Sequence, residues 1–561
     1  MRPAVIPRIA LVWALTIFAA QFASAQDDAL LKGMAEELDR NFRIFKEKAE
    51  PPPYYLSYAV TEIEGNGVSA TMGALTEDHQ GRNRFLDVSM RVGSPKLDNY
   101  HRARGERVRF TSGVPVSIDD EMLSIKRRLW LETDRVHRSA AERLTKLQTS
   151  TQVKVAEEDD SDDFSVEKPA VFSEPPAQLK FAQDQWRDRV RKLSAEFAKY
   201  PEILASQVSV FASTETKYLV NTEGTRLRHG RNFARLTISA HARAADGMDL
   251  STSESFEGLD DDSLPGDDAI REVIHRVARD LKGLLDAPMV EPFVGPAMLS
   301  GHAAGVFFHE IFGHRVEGHR QKDETEGQTF TKSVNAPVLP QFLSVVFDPT
   351  RRKVADIDLN GWYRFDDEGV SARPVPVVEK GILKTFLMSR SPIRNFSQSN
   401  GHGRRQPGLE VVSRQSNLLV ESGHKVTEKR LREMLIEEIK RQKKPYGYRI
   451  HRVTGGFTTT SRMGVQAFKV IPVIVYRVYP DGRPDELVRG ADIVGTPLAS
   501  FSKILATADR PEVFNGYCGA ESGSVPVSAV SPSLLVSEME IEKKATSQER
   551  PPILPGPEAA R

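Results

Sequence analysis

The sequence predicts an α+β protein of two domains, and three features of the chain support this class. Alternating apolar and polar residues predict antiparallel strands within residues 54–92 and again within residues 207–257. Amphipathic helices are expected before the first stretch and after the second. The chain beyond residue 290 mostly has the pattern of further strands. We therefore expect an N-terminal domain, residues 26–290, in which helices are layered on an antiparallel sheet, and a C-terminal, mostly β domain, residues 291–546.

The N-terminal domain should begin with a helix followed by a meander of strands. Residues 29–48 place Leu31, Met34 and Leu38 on one apolar stripe, which predicts an amphipathic helix. Glycine and polar turns then separate three alternating runs of residues. These predicted antiparallel strands are Tyr54 to Ile63, Val68 to Leu75 and Arg84 to Val92.

The rest of this domain should contain a charged segment, a second set of strands and a closing helix. Residues 119–200 are helical in pattern and highly charged, which indicates an insertion into the domain. The acidic run EEDDSDD within it, from Glu157 to Asp163, should be a solvated loop. After the strands of residues 207–257, Asp267 to Leu285 predicts a helix that Pro288 terminates.

The C-terminal domain should contain two hairpins with a helix between them. Val375 to Met388 alternates around a turn at Glu379, Lys380 and Gly381. Val465 to Tyr479 alternates before the turn sequence PDGR and predicts the second hairpin. Thr427 to Lys443 has the apolar spacing of an amphipathic helix. The last residues, 547–561, are Pro-rich and polar and should be disordered.

The segment HEIFGH, from His309 to His314, is the strongest chemical signal in the chain. Two histidines bracket Glu310, which is the arrangement that zinc peptidases use to hold a metal and place a general base beside it. In the common HExxH motif the histidines stand at i and i+4, whereas here they stand at i and i+5, about 140° apart on an ideal helix. We expect a π-bulge, tolerated by Gly313, to bring both onto one face.

The surroundings of this segment indicate that it lies on a buried helix. The preceding residues are small and apolar, and Ser300 is a suitable N-cap. A pair of hydrogen-bonded core histidines beside a paired glutamate is the alternative interpretation. His302 and His319 are nearby in sequence and are further candidate ligands; His302 should pack near the start of the helix, and His319 should be exposed.

Cys518 is the only cysteine in the chain, so it forms no internal disulfide. A thiolate is a good zinc ligand, and Gly516, Gly519 and Gly523 predict a loop that could approach a metal closely. The alternative role of a lone cysteine is that of a small buried apolar residue.

Several segments of the C-terminal half resemble the TldD/PmbA metallopeptidases. The sequence PAMLSGHAAGVFFHEIFGHRVEGHR, from Pro296 to Arg320, is similar to the metal helix of that family, with Glu317 and Gly318 as its acidic-glycine stretch. Further similar segments are DDEGVSARPVPVVEKGILKTFLMSR, GHGRR, RGADIVGTP and YCGAESGSVPVSAVSP. Two departures stand out. His402 occupies a position where the family more often has asparagine, and the chain starts with an export signal that the familiar cytoplasmic members lack.

The resemblance implies one Zn²⁺ per chain, held by His309, His314 and Cys518. Three protein ligands leave a fourth position for water, as in catalytic rather than structural zinc sites. Glu310 would then accept the proton of that water during attack on a peptide carbonyl and deliver it to the leaving amine. The resemblance further implies unfolded or short peptides as substrates, enclosed in a chamber that two subunits form. The second subunit would be a copy of this chain or a related chain lacking the motif.

Two other functions are compatible with the sequence. The chain could be a non-catalytic peptide-binding scaffold with a structural zinc, although the intact Glu310 argues against this. It could also be a zinc amidohydrolase that acts on bonds other than peptide bonds. For the peptidase, His402, Arg404 and Arg405 are candidate substrate-binding or oxyanion-stabilising residues because of their place in the family-like GHGRR segment.

The first residues predict export from the cytoplasm. Arg2 and Arg8 supply a positive region, Ile9 to Ala20 form an apolar run, and Ala23-Ser24-Ala25 is a cleavage site before Gln26. We therefore expect residues 1–25 to be a signal peptide and the mature protein to be periplasmic or secreted; an uncleaved N-terminal anchor is the alternative interpretation. No cysteine lies near the cleavage site, which excludes a lipoprotein anchor.

Composition excludes two classes of partner. Lys and Arg together number 77, as do Asp and Glu, so no net field attracts nucleic acid or an acidic membrane. No apolar run reaches the roughly 18 residues of a membrane helix, so we expect no membrane span.

Overall fold

The computed structural model describes residues 28–102, 106, 108–149, 159–464, 467–496, 500–546, 549–552 and 554. The predicted signal peptide lies outside the described residues, as do most of the residues predicted to form the C-terminal tail. Helices and two large sheets, both mainly antiparallel, make up the described chain, which confirms the α+β class. Among the described helices, none combines the length and the apolar character that crossing a bilayer requires.

The N-terminal half contains an eight-stranded sheet. Its strands are β1 (Pro53–Thr71), β2 (Ala74–Ser94), β3 (Leu97–Asp98), β4 (Val114–Pro115), β5 (Val171–Ser173), β6 (Ala205–Asn221), β7 (Arg226–Arg243) and β8 (Asp249–Gly258). The central order is β3-β2-β1-β6-β7-β5, with β4 beside β2 and β8 beside β7. The long strands β1, β2, β6 and β7 pair antiparallel, and residues of β6 and β7 line a cavity described below.

The predicted meander of three short strands is wrong, because β1 and β2 form one long hairpin. The chain reverses at Met72 and Gly73, which both have positive φ angles, 48° and 88°, as the tight turns of hairpins require. Gly65 and Gly67 do not turn the chain. They lie within β1, and a Cβ atom on either would lie 3.1–3.2 Å from the ring of Phe211 on β6. The glycines mark the close approach of this ring.

Helices cover this sheet in two groups. The helices are α1 (Ala29–Lys48), α2 (Met122–Thr149), α3 (Gln183–Ser194) and α4 (Asp267–Asp286). The predicted helices at residues 29–48 and 267–285 are therefore confirmed. Helices α1 and α2 share one apolar core with β1 and β2, and α3 and α4 share a second core with β6, β7 and β8. Leu129 and Val136 of α2 are buried, so the charged stretch of residues 119–200 contributes to the core.

The acidic run is not a solvated loop along its whole length. Glu157 and Glu158 lie outside the described residues. Asp163, at the end of the run, is buried and accepts a hydrogen bond at 2.9 Å from the ring of His101. The carboxylate of Asp163 also accepts from the backbone N–H of Asp98 at 3.1 Å, so it fixes the segment beside β3.

The C-terminal half contains a twelve-stranded sheet and two small two-stranded sheets. The strands of the half are β9 (Phe293–Leu299), β10 (Leu343–Phe347), β11 (Lys353–Val354), β12 (Ile357–Asp358), β13 (Val375–Glu379), β14 (Ile382–Leu383), β15 (Gly403–Arg404), β16 (Val412–Ser413), β17 (Asn417–Ser422), β18 (Lys425–Val426), β19 (Gly447–Thr458), β20 (Phe468–Val478), β21 (Glu486–Val488), β22 (Ala491–Gly495), β23 (Ile504–Ala520) and β24 (Gly523–Lys543). The helices are α5 (Gly301–Ile311), the four-residue α6 (His319–Lys322) and α7 (Glu428–Arg441).

Both predicted hairpins are confirmed. Strands β13 and β14 pair antiparallel around Lys380 and Gly381, whose φ angles are 47° and 81°. Strands β20 and β21 pair antiparallel around the PDGR turn. The predicted helix at residues 427–443 is α7, and the side chain of Thr427 caps its N-terminus by accepting from the N–H of Arg430.

Helix α5 is buried against strands β19, β23 and β24 of the large sheet. Ser300 caps it as predicted, because its hydroxyl accepts a hydrogen bond from the N–H of Ala303. Small residues let the helix approach β24: a Cβ on Gly305 would lie 3.0 Å from the carbonyl oxygen of Ala529, and one on Gly301 would overlap that of Ser531. The helix is thus fixed against β24, the strand that pairs with β23.

Candidate metal centre

The HEIFGH segment contains a helix end and a separate turn. Helix α5 ends at Ile311, and a 3₁₀ turn follows from Gly313 to Val316. The predicted π-bulge is therefore wrong, because His309 and His314 belong to different elements. Their ring centroids lie 5.1 Å apart and the ring planes are nearly perpendicular, at 85°. The break in the helix brings the two histidines together without a bulge.

Gly313 has a different role from the one that the spacing suggested. A Cβ atom at this position would overlap the side-chain amide of Gln415. That amide nitrogen donates a hydrogen bond to the backbone oxygen of His309 at 3.2 Å and lies 3.4 Å from its Nε2 atom. The glycine therefore leaves room for a side chain that holds the end of α5.

Cys518 reaches the two histidines from the far end of the chain. It lies on β23, opposite Val525 of β24, so the predicted loop is the end of a strand that precedes a tight turn. The Cys518 Sγ atom lies 3.4 Å from His314 Nε2. One ligand atom from each of His309, His314 and Cys518 lies within 4.8 Å of the others, and all three side chains are buried.

The chemistry of this cluster fits a metal ion. Two imidazoles and one thiolate form a donor set that suits zinc and leaves one coordination position open. The Nδ1 atom of His309 is buried and has no hydrogen-bond partner among the described residues. Leaving a buried polar atom without a partner costs about 1–3 kcal/mol, and a metal ion bound to this nitrogen would remove that cost. The alternative of a hydrogen-bonded core pair of histidines does not account for this atom.

Glu317 contacts His314 on the side of the ring that faces away from Cys518. Its Oε2 atom lies 3.3 Å from His314 Nδ1, which leaves Nε2 directed to Cys518. The carboxylate is fully buried and also pairs with Arg320 at 2.8 Å and Arg414 at 3.4 Å. Burial alone would raise the pKa of Glu317, but the charges of His314 and the two arginines hold that pKa far below its ordinary value. A buried carboxylate behind a histidine is the usual way to fix the orientation of a metal ligand.

The charges around Cys518 favour the thiolate, the form that binds metals. Burial acts to raise the pKa of the Cys518 thiol, but His314, His309 and Arg414 outweigh it and lower that pKa well below its ordinary value. Arg414 also donates a hydrogen bond to the backbone oxygen of Cys518. Burial lowers and the Cys518 thiolate raises the pKa of His314, which reaches about 10.

Glu310 lies beside the cluster, at the wall of a cavity of about 600 Å³. Its Oε2 atom is 3.9 Å from His314 Nε2, and both Glu310 and His309 line the cavity. Burial raises the pKa of Glu310, against the opposing effect of His309 and His314. Strand β19 passes directly over this carboxylate, because a Cβ on Gly456 would lie 2.7 Å from Glu310 Cγ. The carboxylate is therefore held between the cluster and the open space.

Arg315 fixes the break between the helix and the turn. Its guanidinium donates to the backbone oxygens of Glu310 and Ile311, at 3.1 and 3.2 Å, and to the Thr458 hydroxyl at 2.8 Å. Sequence reasoning missed Arg315, Arg414 and Gln415, because no motif marks them. The position of Glu317, three residues after His314, is a local signal that could have identified its role.

The three candidate oxyanion residues do not lie in the cavity that contains Glu310. His402 is fully buried, and its Nε2 atom lies 3.1 Å from the Ser416 hydroxyl. Burial lowers the pKa of His402 to about 3, so the ring is neutral. Arg404 and Arg405 line a second, neighbouring cavity.

His302 and His319, the further candidate ligands, lie outside the metal cluster. His302 lies on the first turn of α5 and lines the cavity of Glu310, and its backbone N–H donates to Glu512 at 2.7 Å. His319 is buried beside Glu521, so the prediction that it is exposed is wrong. Neither side chain belongs to the cluster of His309, His314 and Cys518.

We predict that Glu317→Gln weakens zinc binding about 10- to 100-fold, because removing a carboxylate that orients a ligating histidine has effects of this size. The variant should also unfold at a lower temperature, since Arg320 and Arg414 lose a buried counter-charge. Zinc affinity is measured by competition with a chelator of known affinity. Glu326→Gln is the matched control, because it removes another partner of Arg320, at 2.9 Å, without touching His314. Equal zinc affinity in the two variants would contradict the role of Glu317.

Comparison with known proteins identifies relatives of this chain. Residues 174–285 match the PmbA/TldA metallopeptidase central domain, and residues 294–543 match the PmbA/TldA metallopeptidase C-terminal domain. A metalloprotease of Archaeoglobus fulgidus is 28% identical over 48% of this chain and 58% of its own length. A metalloprotease TldD homolog of Haemophilus influenzae is 25% identical over 63% and 70%, and a zinc metalloprotease TldD homolog of Saccharolobus solfataricus is 24% identical over 61% and 72%. The chain spans about half the length of the archaeal metalloproteases that are 28% identical to it.

Solved structures share the fold. TldE from Thermococcus kodakarensis superimposes with a TM-score of 0.60 at 13% identity, over 91% of this chain and 100% of that one. A Thermotoga maritima protein also gives a TM-score of 0.60, at 17% identity, over 90% of this chain and 99% of that one. The two domain matches together extend over more than half of the sequence, and the chain therefore belongs to the PmbA/TldA metallopeptidase family.

Proposed function

We propose that this protein is a zinc-dependent peptidase that hydrolyses peptide bonds of unfolded or short peptides. The observation that carries the proposal is the position of Glu310, beside the cluster of His309, His314 and Cys518 and at the wall of a cavity. A carboxylate next to a three-ligand site is the arrangement of zinc hydrolases. The names of the curated relatives, metalloprotease and zinc metalloprotease, support the same activity.

Each residue of the site has a separate role in the proposed hydrolysis. His309, His314 and Cys518 would hold one zinc ion, which when bound supplies a Lewis acid and lowers the pKa of water. Glu310 accepts a proton from the attacking water and returns it to the leaving amine. Glu317 keeps His314 in the orientation that presents Nε2, and Gln415 holds the backbone of His309. A cavity of about 600 Å³ has room for only a few residues of a chain, which favours unfolded or short peptides as substrates.

Exchange of the general base tests the mechanism. We expect Glu310→Gln to keep its zinc and lose about 10²- to 10⁴-fold in the rate of peptide cleavage, because an amide preserves the shape but cannot accept the proton. Cleavage is measured on a set of fluorogenic unstructured peptides, with zinc content determined on the same samples. Glu437→Gln is the control, since Glu437 is an exposed residue of α7.

The same assay separates the competing functions. The parent protein should cut peptides, lose this activity to a chelator and regain it with zinc. A scaffold would bind the peptides without cutting them, and an amidohydrolase would leave them intact. Cleavage by Glu310→Gln at the parent rate would refute the general-base assignment.

Replacement of Cys518 tests the third ligand. We expect Cys518→Ala to lose zinc and activity together, whereas Cys518→His should keep part of its zinc because imidazole also binds this metal. Val525→Ala is the matched control: Val525 packs in the same small apolar cluster and offers no ligand atom. The control should lose stability only, about 1 kcal/mol or more, with its zinc unchanged. One zinc per chain and full activity in Cys518→Ala would move the search for the ligand to His302 or His319.

Export and assembly are further proposals. We expect the mature protein to begin at Gln26 in the periplasm or medium; an N-terminal sequence that starts at Met1 would contradict this. We also propose that the active form is a two-subunit assembly, of two copies or with a related chain that lacks the motif. Light scattering on the purified protein and on protein captured from its source distinguishes these two forms.

A further inference from the structure

A second cavity, of about 270 Å³, lies beside the cavity of Glu310. One wall is the face of β6 and β7, and the other is formed by residues 362–367 and 404–407. Its aromatic lining includes Phe211, Phe233, Trp362, Tyr363 and Tyr517. The rings of Phe211 and Tyr517 are 43% and 49% exposed, which is high for large apolar side chains and leaves aromatic surface open to a ligand.

Two guanidinium groups in this cavity have no acidic partner. Arg404 is only 6% exposed, donates to the backbone oxygen of Gln415 at 2.6 Å and lies 4.7 Å from the centre of the Tyr363 ring. Arg231 donates to the backbone and side-chain oxygens of Asn360, at 3.0 and 2.5 Å. Within the described part of the chain, neither arginine forms an ion pair. Both side chains are therefore held in position by neutral groups.

Lys217, Arg364 and Arg405, the other cations of the cavity, form ion pairs. Lys217 pairs with Asp367 at 2.5 Å and Glu215 at 2.9 Å. Arg405 pairs with Asp87 at 3.8 Å, and Arg364 pairs with Glu174 at 3.1 Å. Lys217 faces two carboxylates, so one negative charge offsets part of the charge of Arg231 and Arg404, and one positive charge remains.

These two charges lie close enough to act on each other. Burial lowers the pKa of Arg404, Tyr363 and the charge of Asp367 act in the opposite direction, and the charge of Arg231 lowers this pKa further. The carboxylates of Asp367 and Glu215 compensate these two guanidinium groups only in part, because both also pair with Lys217, and an anion between the arginines would neutralise the excess positive charge. A guanidinium recognises a carboxylate through two parallel hydrogen bonds, which makes a carboxylate a suitable occupant.

The cavity is connected to the proposed metal centre by direct contacts. Tyr517 lines both cavities and precedes Cys518 in β23. Gln415 accepts a hydrogen bond from Arg404 and donates one to the backbone of His309. An extended peptide advances about 3.3 Å per residue. A substrate peptide whose cleaved bond lies beside Glu310 can therefore reach the second cavity within a few residues.

We propose that this second cavity is a carboxylate-binding subsite for the peptide substrate, in which Arg231 and Arg404 bind the carboxylate and the aromatic walls pack against the residue that carries it. The proposal rests on the peptidase function above and specifies its substrate class. The carboxylate is either the C-terminal group of a short peptide or the side chain of an aspartate or glutamate near the cleaved bond.

The test uses four peptides of one neutral sequence. They carry a free C-terminal carboxylate or an amide, each with either Asn or Asp at one internal position. We expect the parent protein to cut carboxylate-bearing peptides at about 10- to 100-fold higher kcat/KM than the doubly neutral peptide, which is the size of a charge-assisted hydrogen bond. Preference for the free terminus identifies one source of the carboxylate, and preference for Asp identifies the other.

Two arginine variants locate the effect in the cavity. Arg404→Gln and Arg231→Gln should each lose most of this preference, because kcat/KM falls much further for the carboxylate-bearing peptides than for the doubly neutral peptide. Arg243→Gln is the matched control, because Arg243 lies on the same strand β7 but is paired with Asp249 at 2.8 Å. Zinc content and the thermal unfolding midpoint show that each variant is folded, and two independent positions keep the test valid if one variant does not fold.

The outcomes separate this inference from the peptidase proposal. Equal cleavage of all four peptides by the parent protein, or an unchanged preference in both arginine variants, would overturn the subsite and leave the peptidase intact. Absence of any cleavage with zinc present would refute the peptidase. The subsite is then judged by fluorescence anisotropy of the same labelled peptides with the parent and both arginine variants: carboxylate-dependent binding that both variants lose supports it, and binding without that dependence overturns it.

Discussion

The buried carboxylate of Glu317 is the interaction on which the candidate metal centre depends. It contacts His314 and pairs with Arg320 and Arg414, and Arg414 in turn donates to the backbone oxygen of Cys518. These residues come from segments about 100 to 200 positions apart in the chain. A single fully buried charge therefore joins the turn after α5, the segment before β17 and the strand β23. Burying so many charges together is costly, so the network contributes more to the geometry of the site than to stability.

The packing of α5 explains how a broken motif still forms a site. Close contact of Gly301 and Gly305 with β24 fixes the helix beside the β23–β24 hairpin that carries Cys518. The helix ends at Ile311 and Arg315 ties this end to β19, so His314 returns to His309 through the 3₁₀ turn. The two histidines can share one site because the helix stops between them. A continuous helix would place them about 140° apart around its axis.

The N-terminal half contributes to the site through one face of its sheet. Residues of β7 line both cavities: Arg231 and Phe233 face the second cavity, and Arg235 faces the cavity of Glu310. The side chains of alternate residues on a strand point to the same face, so a single strand connects the two spaces. Asn360 supports this arrangement, because it binds Arg231 and also donates to the backbone oxygen of Gly516, two residues before Cys518.

The sequence by itself determined the α+β class, most helices and the residues of the candidate centre, because these depend on local signals: the Ser300 cap, the turn at Lys380 and Gly381, and the HEIFGH motif. Cys518 was a candidate ligand because it is the lone cysteine of the chain, and family resemblance grouped it with the two histidines. Tertiary structure decided what depends on distant neighbours. It showed that Gly65 and Gly67 accommodate Phe211 instead of turning the chain, that Gly313 leaves room for Gln415, and that His402 is buried and neutral while Arg404 lines a cavity. A glycine or an arginine has no local pattern that reveals which distant side chain will approach it, because that contact exists only once the chain is folded.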